Sequence, residues 1–252
     1  MKLIIAGKGG CGKSVISALL AKELAHRGYK VLVLDTDESN FGLHSQLGLE
    51  KPKDFMNYFG GKKVLLEKVK QLQGGWRVAD LPREYLAEKG NIKLLAMGKI
   101  YDFGEGCACP INALSSKFLE VLELQEGEFL IADTDAGIEH LGRGVERGAD
   151  MILAVVEPSL ESLKLAGKIA EMAGEIDKPV YYVLNKVTNK TKDLLYRELD
   201  NAKAKVKIAA AIPYDERVFM RCLEGRELDF QVEGIKELAD FLSSPQGSAR
   251  TG

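Results

Sequence analysis

Short, wholly apolar runs punctuate this 252-residue chain, and longer stretches with helical periodicity fill the gaps between them. The apolar runs are KLIIA (2–6), KVLVLD (30–35), IKLLAM (92–97), FLIAD (129–133), MILAVVE (151–157), VYYVLN (180–185) and KIAAAI (207–212). Each is apolar on both faces, so each predicts a strand covered on both sides, as in a parallel sheet sandwiched between helices. After the first run, Val15, Ile16, Leu19, Leu20 and Leu24 recur at helical spacing, and Arg27-Gly28 closes that helix. A second helix is predicted where Leu160, Leu163, Ala166, Ile169 and Ala170 share a side, and a third over 112–124. The alternation of strand and helix predicts a single α/β domain over residues 1–242. It would be a mostly parallel twisted sheet of about seven strands with helices on both faces and right-handed crossovers. Residues 39–90 carry the weakest pattern. GGKK (60–63) and QGGW (73–76) read as loops, with Trp76 as a local packing anchor. The polar end SSPQGSARTG (243–252) reads as a disordered tail.

Composition adds exclusions. A net charge of −2 gives no basic field for nucleic acid or an anionic membrane surface. No stretch reaches the roughly 20 apolar residues of a membrane helix. The opening MKLIIAGKGG is too short in its apolar part for a signal peptide and reads as a buried strand. The four cysteines, Cys11, Cys107, Cys109 and Cys222, show no disulfide-framework spacing, which predicts a reducing, cytoplasmic setting.

The chemistry is densest where the first strand ends, at GKGGCGKS (7–14). Gly7, Gly9 and Gly12 satisfy the dinucleotide pattern G-x-G-x-x-G, and Asp35 ends the second strand, where a ribose-binding acid would stand. The same octet satisfies G-x-x-x-x-G-K-[ST]. Lys13 and Ser14 decide between the two: a triphosphate needs a cation for its β- and γ-phosphates and a hydroxyl for Mg²⁺. In either case glycines let successive N–H groups converge on phosphate oxygens at a helix N-terminus. A bare turn would need neither so many glycines nor a buried lysine. The octet therefore predicts a P-loop NTPase that uses ATP and Mg²⁺, with Gly9, Gly10, Cys11, Gly12, Lys13, Ser14 and Val15 around the phosphates and Ser14 on the metal. LVLDTDESN (32–40) places Asp35 and Asp37 past a strand's C-terminal end, suited to Mg²⁺ and water. FLIADTDAG (129–137) delivers Asp133 to the sheet edge, with Gly137 beyond it in a loop able to move on hydrolysis.

Lys8, early in the loop, makes the octet resemble the deviant Walker A ATPases, whose pattern is K-G-G-x-G-K-[ST] and which include the nitrogenase iron protein and the Min and Par partition ATPases. The resemblance implies that Lys8 reaches across a homodimer to the partner's nucleotide, acting like an arginine finger. It implies that Asp37 orients the attacking water, that Asp133 binds a Mg²⁺-coordinated water, and that Asn185 pairs with adenine. Pro213 and Asp215 in IPYDER (212–217) match the family's loop flanking the base. At Asp135 the partition ATPases carry a proline, and His140 is given no role.

GEGCACPINAL (104–114) sets two cysteines one residue apart in a glycine-rich loop before a helix. Two thiolates are half of a four-ligand site, which a two-fold dimer would complete for Zn²⁺ or Ni²⁺. Thiolates must be deprotonated to bind, so affinity is expected to rise with pH. With DAGIEHLGRG (135–144) downstream, this C-x-C-P loop resembles the nickel-insertion ATPases that mature carbon monoxide dehydrogenase or acetyl-CoA synthase. Asp135 departs from that branch, where a glutamate is expected. The resemblance spans about the first 220 residues. It implies a homodimeric ATP-dependent metallochaperone with one of those enzymes as client. The alternative is an iron–sulfur carrier or reductase of the nitrogenase iron-protein type. A partition or membrane switch would need a basic amphipathic helix, and VEGIKELADFLSS (232–244) is amphipathic but acidic.

Overall fold

The computed structural model describes residues 1–101, 107–138, 145–200 and 206–244. Part of GEGC (104–107), residues 139–144 of the DAGIEHLGRG motif with His140, and the tail beyond Ser244 lie outside the described residues. The chain runs through β1 (Lys2–Gly7), α1 (Lys13–His26), β2 (Lys30–Asp35), α2 (Leu43–Leu47), α3 (Lys62–Lys70), β3 (Trp76–Arg77), β4 (Leu86–Lys89) and β5 (Ile92–Ala96). It continues through α4 (Cys109–Val121), β6 (Leu122–Glu123), β7 (Glu128–Asp133), β8 (Met151–Val156), α5 (Leu160–Glu175) and β9 (Val180–Val187). The last elements are α6 (Asn189–Asp200), β10 (Ile208–Pro213), α7 (Glu216–Leu223) and α8 (Ile235–Ser243).

Eight strands form one sheet in the order β10-β9-β8-β1-β7-β2-β5-β4. All seven predicted strands are present, and all pair in parallel. The eighth, β4, is added antiparallel to β5 at the edge. Its sequence LAEK is half polar because an edge strand faces water on one side, so it carries no continuous apolar run to betray it. Within β1 and β2 successive side chains go to opposite faces, and both faces are dry. Ile4, Leu32 and Leu34 join one core with Phe118 of α4 and Ile169 of α5. Leu3, Ile5, Val31 and Val33 join the other with Leu20 and Leu24 of α1 and Leu238 of α8. Each such side chain stabilises the fold by about 1.5–3 kcal/mol on leaving water.

Three expectations shift. The helix predicted over 112–124 begins at Cys109, because Pro110 sits in its first turn, where a missing N–H costs nothing. Leu160, expected on the buried side of α5, is 67% exposed. It follows the cap Ser159, whose side chain accepts from the Ser162 backbone N–H, and so stands beyond the packed face. Residues 39–90, which lacked periodicity, are organised by aromatics: Phe55 packs against Tyr58, Phe59, Trp76, Tyr85 and Phe118. The amphipathic segment 232–244 spends its apolar face internally, since Ile235, Leu238, Ala239 and Leu242 of α8 are buried in the second core. Among the described residues no helix is long and apolar enough to cross a membrane.

Candidate functional site

The parallel register brings the chemistry to one end of the sheet. Ile5, Asp133 and Asp35 are lateral neighbours on β1, β7 and β2, so the loops after these strands meet at their C-terminal ends. At its two ends, Gly7 and Gly12, the loop leaves no room for a side chain. A Cβ on Gly7 would stand 2.7 Å from the Val155 carbonyl oxygen, and one on Gly12, at φ 102°, would stand 2.3 Å from the Asn185 amide nitrogen. No side chain caps α1, and its first turn carries no acid. Its N–H groups are therefore left to an anion.

Lys13 is 6% exposed and folds back over the loop, its ammonium donating to the carbonyls of Gly7 (3.3 Å) and Lys8 (3.4 Å). Asp133 is fully buried, and burial first of all pushes its carboxyl up to about 6. It accepts from Ser17 Oγ at 3.1 Å. Between Asp133 and Ser14 sits the amide of Asn40, whose Nδ2 donates to Ser14 Oγ at 2.8 Å and to Asp133 Oδ2 at 3.2 Å. Two hard oxygens converging on one position, with a donor now lying between them, is a donor set that fits Mg²⁺. Gly137 N donates to the Gly7 carbonyl at 3.1 Å, tying the loop after Asp133 to the phosphate loop.

Asp35 and Asp37 part company. Asp35 is buried and ion-paired with Lys99 at 2.7 Å. Burial raises its carboxyl to about 7 despite Lys99 pulling the other way. Asp37 is half-buried, its Oδ1 accepting from both the N–H and the hydroxyl of Ser39. Asp35 thus sits against a lysine inside the protein, not in a ribose-binding position as the dinucleotide reading required.

On the other side of the loop a cavity of about 220 Å³ is lined by Gly12, Val15, Asn185, Pro213, Tyr214 and Asp215. A larger hollow of about 510 Å³ between α1 and residues 228–237 includes none of the phosphate loop. Converging backbone donors, not volume, mark the site. Asn185 Nδ2 donates to the Cys11 carbonyl at 2.7 Å, so one arm of the amide expected to read adenine staples the loop to β9. Asp215 caps α7 by accepting from Arg217 N–H and pairs with the Arg217 guanidinium, which holds its carboxyl below the usual range. It walls the cavity from a structural post.

Lys8 is half-exposed and stays within its own chain, 3.0 Å from Glu161 and 3.6 Å from Glu157. Cys107 and Cys109 stand exposed at the head of α4. A hydrogen bond with Cys109 holds the Cys107 thiol below its ordinary range. Among the described residues no three His, Cys, Asp or Glu side chains come together to hold a metal. Cys11 is buried, its thiol pushed up to about 11, and packs as an inert side chain. The sequence reading did not find Asn40 and Lys99. Asn40 lies within the quoted DTDESN stretch but no spacing singles it out, and Lys99 follows a strand by three residues in a loop without pattern.

The family described as CobQ/CobB/MinD/ParA nucleotide binding domain matches residues 2–228. An uncharacterized ATP-binding protein of Methanocaldococcus jannaschii is 48% identical over 252 residues, covering 96% of this chain and all of its own length. The carbon monoxide dehydrogenase accessory protein CooC of Rhodospirillum rubrum is 30% identical over 206 residues, covering 75% of each chain. Among solved structures, the septum site-determining protein MinD of Pyrococcus horikoshii, complexed with Mg-ADP, superposes with a TM-score of 0.70 at 17% identity. It covers all of this chain and 98% of its own. The MinD cell division protein of Aquifex aeolicus gives 0.68 at 22%, covering 96% and 95%. At such identities these two share the fold.

Proposed function

The chain belongs to the CobQ/CobB/MinD/ParA nucleotide-binding family and is an ATPase; from that premise we propose that it works with Mg²⁺ as a homodimeric metallochaperone. In this reading it delivers Ni²⁺ to the metal cluster of carbon monoxide dehydrogenase or acetyl-CoA synthase. The observation that carries the reading is the exposed pair Cys107 and Cys109, set at a helix head in a chain that also builds a phosphate loop. The likeness to a carbon monoxide dehydrogenase accessory protein supports the client.

Lys13 and the N–H groups of Gly9 to Val15 bind the triphosphate, with adenine in the cavity between Val15 and Pro213. Ser14 and Asp133 would hold Mg²⁺, with the Asn40 amide displaced from between them. The metal supplies neutralisation of charge on the phosphates. Asp37 leaves its Ser39 contact to orient the attacking water. Lys8 leaves Glu161 and reaches the partner's nucleotide, in the manner of the deviant Walker A ATPases. ATP favours the closed dimer because only that state offers it both lysines. Closure brings two Cys107–Cys109 pairs to the axis as a four-thiolate site for Ni²⁺ or Zn²⁺, and hydrolysis opens it for release.

Anaerobic metal analysis of the purified protein, with and without ATP, tests this. About one metal per dimer, lost in Cys107→Ala, is expected. A brown protein with labile sulfide would replace the reading with an iron–sulfur carrier.

A further inference from the structure

Lys99 is 2% exposed, yet it has no place in the nucleotide chemistry so far described. A lysine buried so deeply costs stability unless its charge is met, and an ion pair replaced by apolar side chains is often no less stable. Packing alone therefore does not explain it. Its ammonium has two acceptors two residues apart on one stretch of chain: the Asp35 carboxylate at 2.7 Å and the Asp37 backbone carbonyl. Both lie where β2 leaves the sheet. The backbone follows the same path. Met97 N donates to the Asp35 carbonyl at 2.9 Å and Ile100 N to the Glu38 carbonyl at 3.2 Å, so residues 97–100 track 35–38 beyond the last strand pair. Lys99 N donates to Asp54 Oδ2 at 3.3 Å, which anchors the lysine from behind. Phe41 and Tyr101 then pack ring to ring at 5.9 Å.

The contact that reaches Asp37 itself is the ammonium on its peptide carbonyl. The Asp37 carboxylate is fixed from its own side by Ser39, and its peptide by Lys99. The other oxygen of Asp35, Oδ1, is buried with no hydrogen-bond partner among the described residues.

We infer that Lys99 is a positioning residue for ATP hydrolysis: anchored by Asp35, it holds the Asp37 peptide so that the Asp37 carboxylate can be presented to the attacking water. The inference rests on the proposed role of Asp37.

The test compares Lys99→Met, Asp35→Asn/Lys99→Met and Asp37→Ala in the full chain. The readouts are kcat and KM for ATP, binding of a non-hydrolysable ATP analogue, and melting temperature. Lys99→Met is expected to lower kcat by about 100-fold, the cost of a misplacement near 1 Å, with analogue affinity unchanged. The double variant removes the buried pair together. It is expected to melt at least as high as the parent and still turn over slowly, because its Asp37 peptide remains unheld. Recovery of parental kcat in the double variant would mean that Lys99 only neutralises Asp35, and would overturn the inference. Full turnover in Lys99→Met beside an inactive Asp37→Ala would overturn it while leaving the Asp37 role intact. An active Asp37→Ala would remove the role on which it rests, and the inference with it.

Discussion

At the phosphate end of the sheet, Lys13, Asp35, Lys99 and Asp133 are each at most 6% exposed, and each meets a carbonyl, a hydroxyl or an opposite charge within the same chain. At the head of α4, Cys107 and Cys109 face solvent, with no third His, Cys, Asp or Glu gathered near them among the described residues. Buried charge must be compensated when the chain folds, so the first site has to be complete in one copy. Exposed thiols cost little until they are used, so the second can wait for a partner. The contrast separates binding of nucleotide, which one chain can do, from metal retention and hydrolysis, which in the proposed reading need two.

The sharpest way to break that separation is Lys8→Ala. Turnover, read as phosphate release, is expected to fall about 10³-fold if the lysine acts as a finger across the dimer. ATP binding by the single chain should be spared, since the half-exposed pair with Glu161 contributes little to the fold. Unchanged turnover would confine Lys8 to its own chain.

Next in size is Cys107→Ala or Cys109→Ala. Metal content after anaerobic purification should drop to background while ATP binding is untouched. Equal retention in the variants would place the metal elsewhere and dissolve the contrast.

A smaller effect belongs to the buried end alone. The Asp35 carboxyl has a folded-state value of about 7 against an ordinary 3.8, chiefly through burial. The folded protein therefore holds a proton there that the unfolded chain has lost. Its contribution is fully present below 3.8 and is lost as pH rises through 7. This runs opposite to a salt-bridged surface carboxylate. The nucleotide-free protein should lose part of its melting temperature between pH 5 and pH 8, about 2–4 °C per kcal/mol for a chain of this size. Asp35→Asn/Lys99→Met should flatten that slope, leaving the part that the raised carboxyl of Asp133 contributes.

The smallest concerns Asn40, whose amide lies between Ser14 and Asp133. Asn40→Ala should lower the Mg²⁺ concentration needed for nucleotide binding by about 5-fold, the worth of one hydrogen bond. An unchanged Mg²⁺ requirement would show that the amide does not compete with the cation.

Much of this architecture can be read before any coordinates. KLIIA and MILAVVE announce doubly covered strands because a parallel sheet has no wet face, and Gly7 and Gly12 of GKGGCGKS stand where a side chain would collide with Val155 or Asn185. The edge strand β4 and the aromatic cluster around Phe55 leave no such trace. Half-buried edges and clusters gathered from distant loops have no period. Asp35 illustrates the limit. Its place at the end of β2 is legible, but its neighbour Lys99 lies 64 residues away and is brought to it only by the pairing of β2 with β5.

Taken alone, the amino-acid order determined the layered parallel sheet, the phosphate loop with Lys13 and Ser14, and the existence of a cysteine pair, because each is written in residues close together along the chain. The tertiary structure decided that Asp35 faces a lysine inside the protein, that Asn40 stands between Ser14 and Asp133, and that Lys8 rests on Glu161. Those relations join residues dozens of positions apart, and burial, which sets their charge and their partners, exists only once the sheet has closed over them.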